Sequence, residues 1–383
     1  MSERIVIKEI CEVYDGPHAT PKKTVDGPVY LGIDAITDDG KINAKEFAHL
    51  SEEDYIKWTK RVTPQYGDIV FSYEATLGRY ALIPKDFYGC LGRRLAIIRN
   101  VSKDIDTLWL YYYFLSPEWK QFIQSKIIKG STVNRISVED FPTYTVPNIS
   151  IKVQRKIANI LSKIDEKIAL NNNINDNLEQ QAKLIYDYWF TQFDFPDENG
   201  KPYCSSGGKM VWNEQLKRNI PENWNVVPLL KLVSWESNSQ PPKSEFVYEP
   251  KEGYVRFIQN RDYDSDTHIT YIPRTKNLSI VDRFDILMDK YGDAGAVRYG
   301  IEGAFNVALG KICVHNPNYR EYIRSFLGSD GIYKFLHNSC MASTRASLSE
   351  ANLAILNVVV PDEKIILDYE NFLHKIRVSI LKN

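Results

Sequence analysis

The sequence predicts a mixed α/β (α+β) protein built as two similar domains held apart by long antiparallel coiled-coil helices, a pseudo-twofold internal repeat. Three observations lead there. A heptad seam runs through the middle of the chain. Short β-favouring runs, punctuated by Gly and Pro, flank it. The second half of the sequence also repeats landmarks of the first in the same order.

Residues 1–147 read as the first domain. Ile5 to Ile7, Val29 to Ile33, Ile69 to Ser72, Tyr80 to Ile83 and Leu95 to Ile98 are strand-like. Helical runs fall near Ser51 to Lys60 and from Asp106 through Ile128, and a loop, KGSTVNRIS, spans Lys129 to Ser137.

Residues 148–192 carry the seam. Ile157, Ile164, Asn171, Leu178 and Ile185 recur every seven residues, interleaved with Leu161, Ile168, Asn175, Ala182 and Trp189. Steps of four and three define the two core positions of a coiled coil, and a polar Asn on such a seam fixes register and partner at some cost in stability. Lys156, Lys163, Asp165, Glu166, Lys167, Glu179 and Lys183 lie mostly off the seam, and Pro147 and Pro196 bracket it. About forty residues at 1.5 Å each give a rod on the order of 60 Å.

Residues 193–224 are polar and rich in Gly and Pro without periodicity, so they read as a linker packed on the surface. Residues 225–361 form the second domain and 362–383 a short C-terminal helix. Arg4 to Glu12 resembles Val226 to Ser234, with Ile5 set against Val227. Gly67 to Val70 resembles Phe284 to Leu287, and a glycine follows each Asp by ten residues, at Gly78 and Gly295. Ser131-Thr132 with Ile136-Ser137 resembles Ser343-Thr344 with Leu348-Ser349. Ile157, Ile160, Leu161, Lys163, Ile164 and Ile168 match Tyr369, Phe372, Leu373, Lys375, Ile376 and Ile380 in register.

The last helix has its own seam, Ile366, Tyr369, Leu373, Ile376 and Ile380, and is about half as long as the first. Antiparallel packing of the two leaves part of the first helix, around Asn171 to Trp189, without a partner in the chain. A partner subunit or a second copy of this chain then covers it.

With 383 residues, 43% hydrophobic and 25% charged, the chain has an ordinary soluble composition. Its net charge of −1 excludes a global basic field, so nucleic-acid contact must come from local patches. Five cysteines without a CxxC pair and six histidines without metal-ligand spacing argue against zinc and disulfides. They fit a reducing, cytoplasmic setting. The longest apolar run, Leu108 to Leu115, is too short to cross a bilayer.

Catalytic constellations are absent from the sequence. Asn316-Pro317-Asn318-Tyr319 lacks the second Pro of an amino-methyltransferase site and reads as a turn. Gly207-Gly208-Lys209-Met210 lacks the spacing and hydroxyl of a nucleotide-binding loop, and Pro361-Asp362 has no ExK partner for a nuclease. A binding module is therefore favoured.

The seam helix QRKIANILSKIDEKIALNNNINDNLEQQAKLIYDYWF, the connector after it and the segment KGSTVNRISVEDFPTYTVP resemble the specificity (S) subunits of type I restriction-modification systems. The resemblance covers nearly the whole chain. It implies two target-recognition domains, each reading one half of a bipartite double-stranded DNA site. It also implies helices that set the gap and bind two methyltransferase (M) subunits, which recruit restriction (R) subunits. No catalysis is expected of such a chain, and S-adenosylmethionine and ATP would belong to the partners. The C-terminal helix is short for the family, which leaves self-association through the helices open. The alternatives are a stand-alone degenerate DNA methyltransferase or nuclease, or a coiled-coil protein scaffold.

Candidate DNA contacts in the first domain are Lys22, Lys23, Arg79, Arg93, Arg94, Lys129, Asn134 and Arg135. In the second they are Arg256, Gln259, Asn260, Arg261, Arg274, Lys290, Arg298 and Arg345. Arg and Lys hold phosphates or guanine edges, and Asn and Gln suit adenine. Because the two sets differ, two different half-sites are expected.

Overall fold

A computed structural model describes residues 3–130, 133–341 and 347–383, apart from the side chains of Thr267 and Met341. The chain divides into two compact units, Met1–Ile168 and Ala169–Asn383.

In the first unit, β1 (Arg4–Val6) pairs antiparallel with β9 (Thr145–Pro147). A four-stranded antiparallel sheet has β2 (Cys11–Asp15), β8 (Leu95–Asn100), β5 (Ile69–Ser72) and β6 (Tyr80–Leu82) in the order β2-β8-β5-β6. A second sheet orders β4 (Ala48–His49), β3 (Thr24–Leu31) and β7 (Gly89–Leu91) as β4-β3-β7, with β3 and β7 parallel. The short α1 (Glu52–Trp58) starts on Ser51, whose side chain caps the Asp54 N–H.

The apolar run after Asp106 forms two helices rather than one, α2 (Thr107–Leu115) and α3 (Pro117–Lys126). Pro117 forces Ser116 into an extended conformation, and the Ser116 side chain then caps α3. Both helices close on an aromatic core of Tyr80, Phe114, Trp119 and Phe141, in which the Trp119 indole donates to the Tyr80 hydroxyl at 2.8 Å.

The seam forms α4 (Ile151–Tyr186), 36 residues and about 54 Å long, continued by a π-helical turn over Asp187–Thr191. Its first turns dock on the first unit. Gln154 is fully buried there: its Oε1 accepts from the Asp106 N–H at 2.8 Å and its Nε2 donates to the carbonyls of Asp104 and Ile149. Ala158 is buried, and Tyr112 donates to Asp165 at 2.7 Å.

The second unit pairs β12 (Asn225–Pro228) with β21 (Asn357–Val360). One sheet places β13 (Val233–Ser237), β20 (Leu309–Val314), β17 (Ile286–Asp289) and β18 (Val297–Arg298) in the order β13-β20-β17-β18. The other places β15 (Tyr271–Pro273), β14 (Tyr254–Ile258), β19 (Gly303–Phe305) and β16 (Ile280–Val281) in the order β15-β14-β19-β16, with β14 and β19 parallel. Apart from β16, this is the strand order of the first unit. Even the close approach recurs: a Cβ on Gly89 would meet the Val29 carbonyl at 2.3 Å, and one on Gly303 the Arg256 carbonyl at 2.4 Å. Helices α5 (Arg320–Leu327), α6 (Asp330–Met341) and α7 (Glu350–Ala354) lead to α8 (Glu363–Lys382).

Two expectations change. The connector is an ordered part of the second unit. It carries a hairpin of β10 (Met210–Asn213) and β11 (Arg218–Pro221). Phe193, Phe195 and Trp224 are buried in its core, with Phe195 stacked on Trp224 at 4.7 Å. Its few aromatic residues supply the apolar area that its overall polarity conceals.

The uncovered part of the long helix is also the other end. Within the second unit α8 runs antiparallel along residues 171–189. Asn171 Nδ2 donates to the Asn383 carbonyl at 2.8 Å, Asn175 Nδ2 to the Ile380 carbonyl at 3.4 Å, and Trp189 packs on Tyr369. It is Ile157, Ile160, Ile164 and Ile168 that stand exposed. The reason is polar. Asn171 and Asn175 weaken an apolar seam but match the carbonyls at the end of α8.

α8 is fixed by charge as well as by packing. Arg377, 3% exposed, donates to Glu179 at 2.6 Å and to Glu321 at 3.2 Å, and Arg324 closes on Glu321 at 3.1 Å. The two guanidiniums hold the Glu321 carboxyl below its usual range despite its burial.

Glu370 is different. Burial, with Glu321 nearby, lifts its carboxyl to about 7, against the pull of the Glu321 backbone N–H and of Arg320 and Arg324. The ordinary value is 4.5. Between those two values the folded chain holds more protons than the unfolded one, so this group's contribution to stability is lost as pH rises through 7. Glu370→Gln is therefore expected to stabilise by on the order of 1–3 kcal/mol at pH 8 and to change little at pH 4, read by denaturant melts at both pH values.

Candidate nucleic-acid interface

Two loops at one end of the first unit's sheets form the candidate site. The first follows β5 and carries Tyr73 and Glu74. The second links β7 to β8 and carries Gly92, Arg93 and Arg94. Backbone bonds lock them together: the Tyr73 N–H donates to the Arg94 carbonyl at 3.1 Å and the Gly92 N–H to the Leu31 carbonyl at 2.7 Å. The Arg93 N–H is held by the Tyr30 hydroxyl at 3.1 Å. Arg94 sits at φ 74°, which turns the doublet so that Arg93 is exposed while Arg94 lies back 3.5 Å from Glu74.

Two open clefts meet at this doublet. One, of about 600 Å³, is lined by Glu74, Arg93, Arg94, Lys129 and Arg135 among others. The other, of about 330 Å³, adds Lys23 and Tyr30. The Ile136 N–H bonds to the Tyr73 carbonyl at 2.8 Å and Arg135 pairs by backbone with Ile128, which brings Lys129, Val133 and Arg135 to the cleft. Thus Lys23, Arg93, Arg94, Lys129 and Arg135, far apart in sequence, come together. Lys22 and Asn134 are exposed beside them. Ser131 and Thr132 lie outside the described residues.

Arg79 is committed elsewhere. Its Nε and Nη2 grip Asp38 at 2.6 and 3.1 Å, and its Nη1 donates to the Ile36 carbonyl at 3.1 Å. A guanidinium so occupied braces a loop.

The second unit's candidates are more dispersed. Arg256 pairs with Asp266 at 2.9 Å and lines an open cleft of about 550 Å³ with Asp262, Tyr263, Arg283 and Glu302. Gln259 donates to Thr270 Oγ1 at 3.1 Å and caps the turn that follows, where Asn260 bonds Asp289. Arg261 and Arg274 are exposed and Lys290 half-buried. Arg345, Ser343 and Thr344 lie outside the described residues. Arg298 is built into the fold. It donates twice to buried Asp289, at 2.9 and 3.2 Å, and lies 5.6 Å from the centre of the Tyr263 ring. Burial lifts the Asp289 carboxyl above its ordinary value, against Arg298.

Residues Pro317–Tyr319 form a 3₁₀ turn. Among the described residues no group of His, Cys, Asp or Glu is arranged to hold a metal ion, and no helix is long and apolar enough to cross a membrane. Glu74, an acidic residue lining the cleft, is not among the basic and amide candidates of the sequence.

Residues 2–180 match the family model described as the type I restriction modification DNA specificity domain. The specificity subunit of the type I restriction enzyme MjaIX from Methanocaldococcus jannaschii is 26% identical over 201 residues, 52% of this chain and 43% of its own length. That of HindI from Haemophilus influenzae is 26% identical over 133 residues, 33% of this chain and 28% of its own. These alignments span less than half the length of the curated relatives. The crystal structure of the type I restriction-modification S subunit from M. genitalium shares the fold, with a TM-score of 0.52, 16% identity and coverage of 99% of this chain and 95% of that one. The first half of the chain thus matches the specificity-domain family of type I restriction-modification systems, and the relatives it is similar to are specificity subunits of such systems.

Because Arg298 neutralises a buried carboxylate, Arg298→Ala is expected to cost about 3–5 kcal/mol of folding stability, measured by urea unfolding. Arg93→Ala should leave stability within about 0.5 kcal/mol.

Proposed function

We propose that this chain is the non-catalytic DNA-recognition subunit of a type I restriction-modification complex, acting in the cytoplasm on an asymmetric bipartite site. The observation that carries the reading is the convergence of Lys23, Arg93, Arg94, Lys129 and Arg135 on adjoining clefts of a chain with no net positive charge. Local cations in a concave surface attract phosphates, and exposed guanidiniums among them can reach base edges. The matching strand order of the second unit supports two duplicated target-recognition domains, one for each half-site.

In this reading the helices act as the ruler between half-sites. A rod of about 54 Å, against about 34 Å per turn of duplex, suits half-sites one to two turns apart. The exposed stripe of Ile157, Ile160, Ile164 and Ile168 is the apolar surface offered to methyltransferase subunits, which in turn recruit restriction subunits. S-adenosylmethionine and ATP belong to those partners.

Duplex binding by the full chain should weaken steeply with salt. Arg93→Ala and Arg135→Ala should each weaken it and lower the slope of log K against log salt by about one. A titration in which neither variant changes the slope would reject the cleft as the contact. Methyl transfer from S-adenosylmethionine by the purified chain alone would reject the non-catalytic reading.

Exchanging residues 1–147 for another such domain should change one half of the recognised site, and lengthening α4 by one heptad should change only the gap. Both are read from the methylation motif of the assembled complex. Alteration of both halves by either change counts against modularity.

A further inference from the structure

Two loops at the first unit's clefts can be superposed residue for residue on their counterparts in the second unit from their backbone bonds. Ser72 ends β5 and Asp289 ends β17, and six residues later the N–H groups of Gly78 and Gly295 return to their carbonyls at 3.0 and 2.9 Å. In between, Ala75 and Gly292 occupy the same left-handed conformation, at φ 66° and 73°. The loops before β8 and β20 agree as well. The Gly92 N–H bonds the Leu31 carbonyl as the Asn306 N–H bonds that of Ile258, at 2.7 and 2.9 Å. Tyr73 N–H to Arg94 carbonyl is matched by Lys290 N–H to Ala308 carbonyl, at 3.1 and 2.8 Å.

These bonds place Tyr291 where the first unit has Glu74, and Val307 where it has Arg93. A carboxylate and a guanidinium are thus replaced by a phenol and an isopropyl group. Tyr291 is 49% exposed and Val307 39%. Asp293, two residues further on, is turned away into contacts with Arg298 and Tyr333. The same position in the fold offers charge in one unit and an uncharged, largely apolar ring and isopropyl group in the other.

In the major groove the chemistry that matches each is distinct. Arg donates to guanine O6 and N7, and a carboxylate accepts from cytosine N4. An aliphatic or aromatic group finds its complement in the C5-methyl of thymine, the only methyl on an unmodified base edge.

We propose that Tyr291 and Val307 form an apolar pad that selects thymine in the second half-site through its C5-methyl, at the position where Glu74 and Arg93 select a G·C pair in the first. The inference rests on the DNA-recognition reading above and names the residues that make the half-sites unlike.

The test begins with selection of duplexes by the full chain from a random-sequence library. On the enriched duplex, each thymine of the second half-site is then replaced singly by deoxyuridine, which removes only the methyl. One replacement should weaken wild-type binding about fourfold, as expected for loss of one buried methyl. The double variant Tyr291→Ala, Val307→Ala should bind the thymine and deoxyuridine duplexes equally. In a second selection, the double variant Tyr291→Glu, Val307→Arg should enrich a G·C pair at that position and leave the first half-site unchanged.

Tolerance of deoxyuridine at every position, or an unchanged motif for the charge-swapped variant, overturns the assignment while leaving DNA recognition intact. Failure of the wild-type chain to enrich any motif overturns both. All four positions are on exposed or half-exposed loops, and matching thermal melts exclude misfolding as the cause.

Discussion

Arg377 is the constraint on which the second unit depends. A guanidinium with 3% exposure is tolerable only when carboxylates surround it. Glu179 on the long helix and Glu321 on α5 meet that demand from two directions, and Arg324 completes the set. Tyr299 lies against both guanidiniums, its ring centre 4.4 Å from Arg377 and 4.8 Å from Arg324. Sliding α8 along its neighbour by one turn would strand those charges. Apolar packing alone would tolerate such a slip far better, because a seam of Ile and Leu repeats itself every heptad. Charge therefore sets the register that hydrophobic burial leaves loose.

The same division of labour recurs in the loops after β5 and β17. Backbone hydrogen bonds and left-handed turns at Ala75, Gly78, Gly292 and Gly295 fix the shape of the loops. Side chains at Arg93, Tyr291 and Val307 are exposed on that frame, and Glu74 is half-buried beside Arg94. The exposed residues can be exchanged without disturbing the sheets beneath. Arg79 and Arg298 show the opposite case. They carry the same charge as Arg93, yet their partners Asp38 and Asp289 commit them to structure.

Much of the fold was legible beforehand. Periodicity of seven over forty residues has few outcomes other than a long helix, and α4 covers nearly all of the expected span. Equal spacing between Asp and Gly in both halves foretold equal turns, because a left-handed turn closed by a backbone bond leaves little freedom in loop length. The strands at Cys11–Asp15 and Gly89–Leu91 were missed; they are short, and their pairing with distant partners rather than their own composition makes them strands. The connector was misjudged because composition averages over residues, whereas burial depends on where Phe193, Phe195 and Trp224 point.

Sequence by itself determined the helix, the order of the repeated landmarks and the family resemblance, because each is a matter of local pattern and spacing. Tertiary structure decided which half of the helix is covered, which arginines are free to reach a ligand and which clefts they share. Those outcomes depend on contacts between residues up to some two hundred positions apart, such as Asn171 with Asn383 and Arg377 with Glu179. A charge has no fixed role until its neighbours are known: the same guanidinium is a brace beside a buried carboxylate and a probe when it faces water.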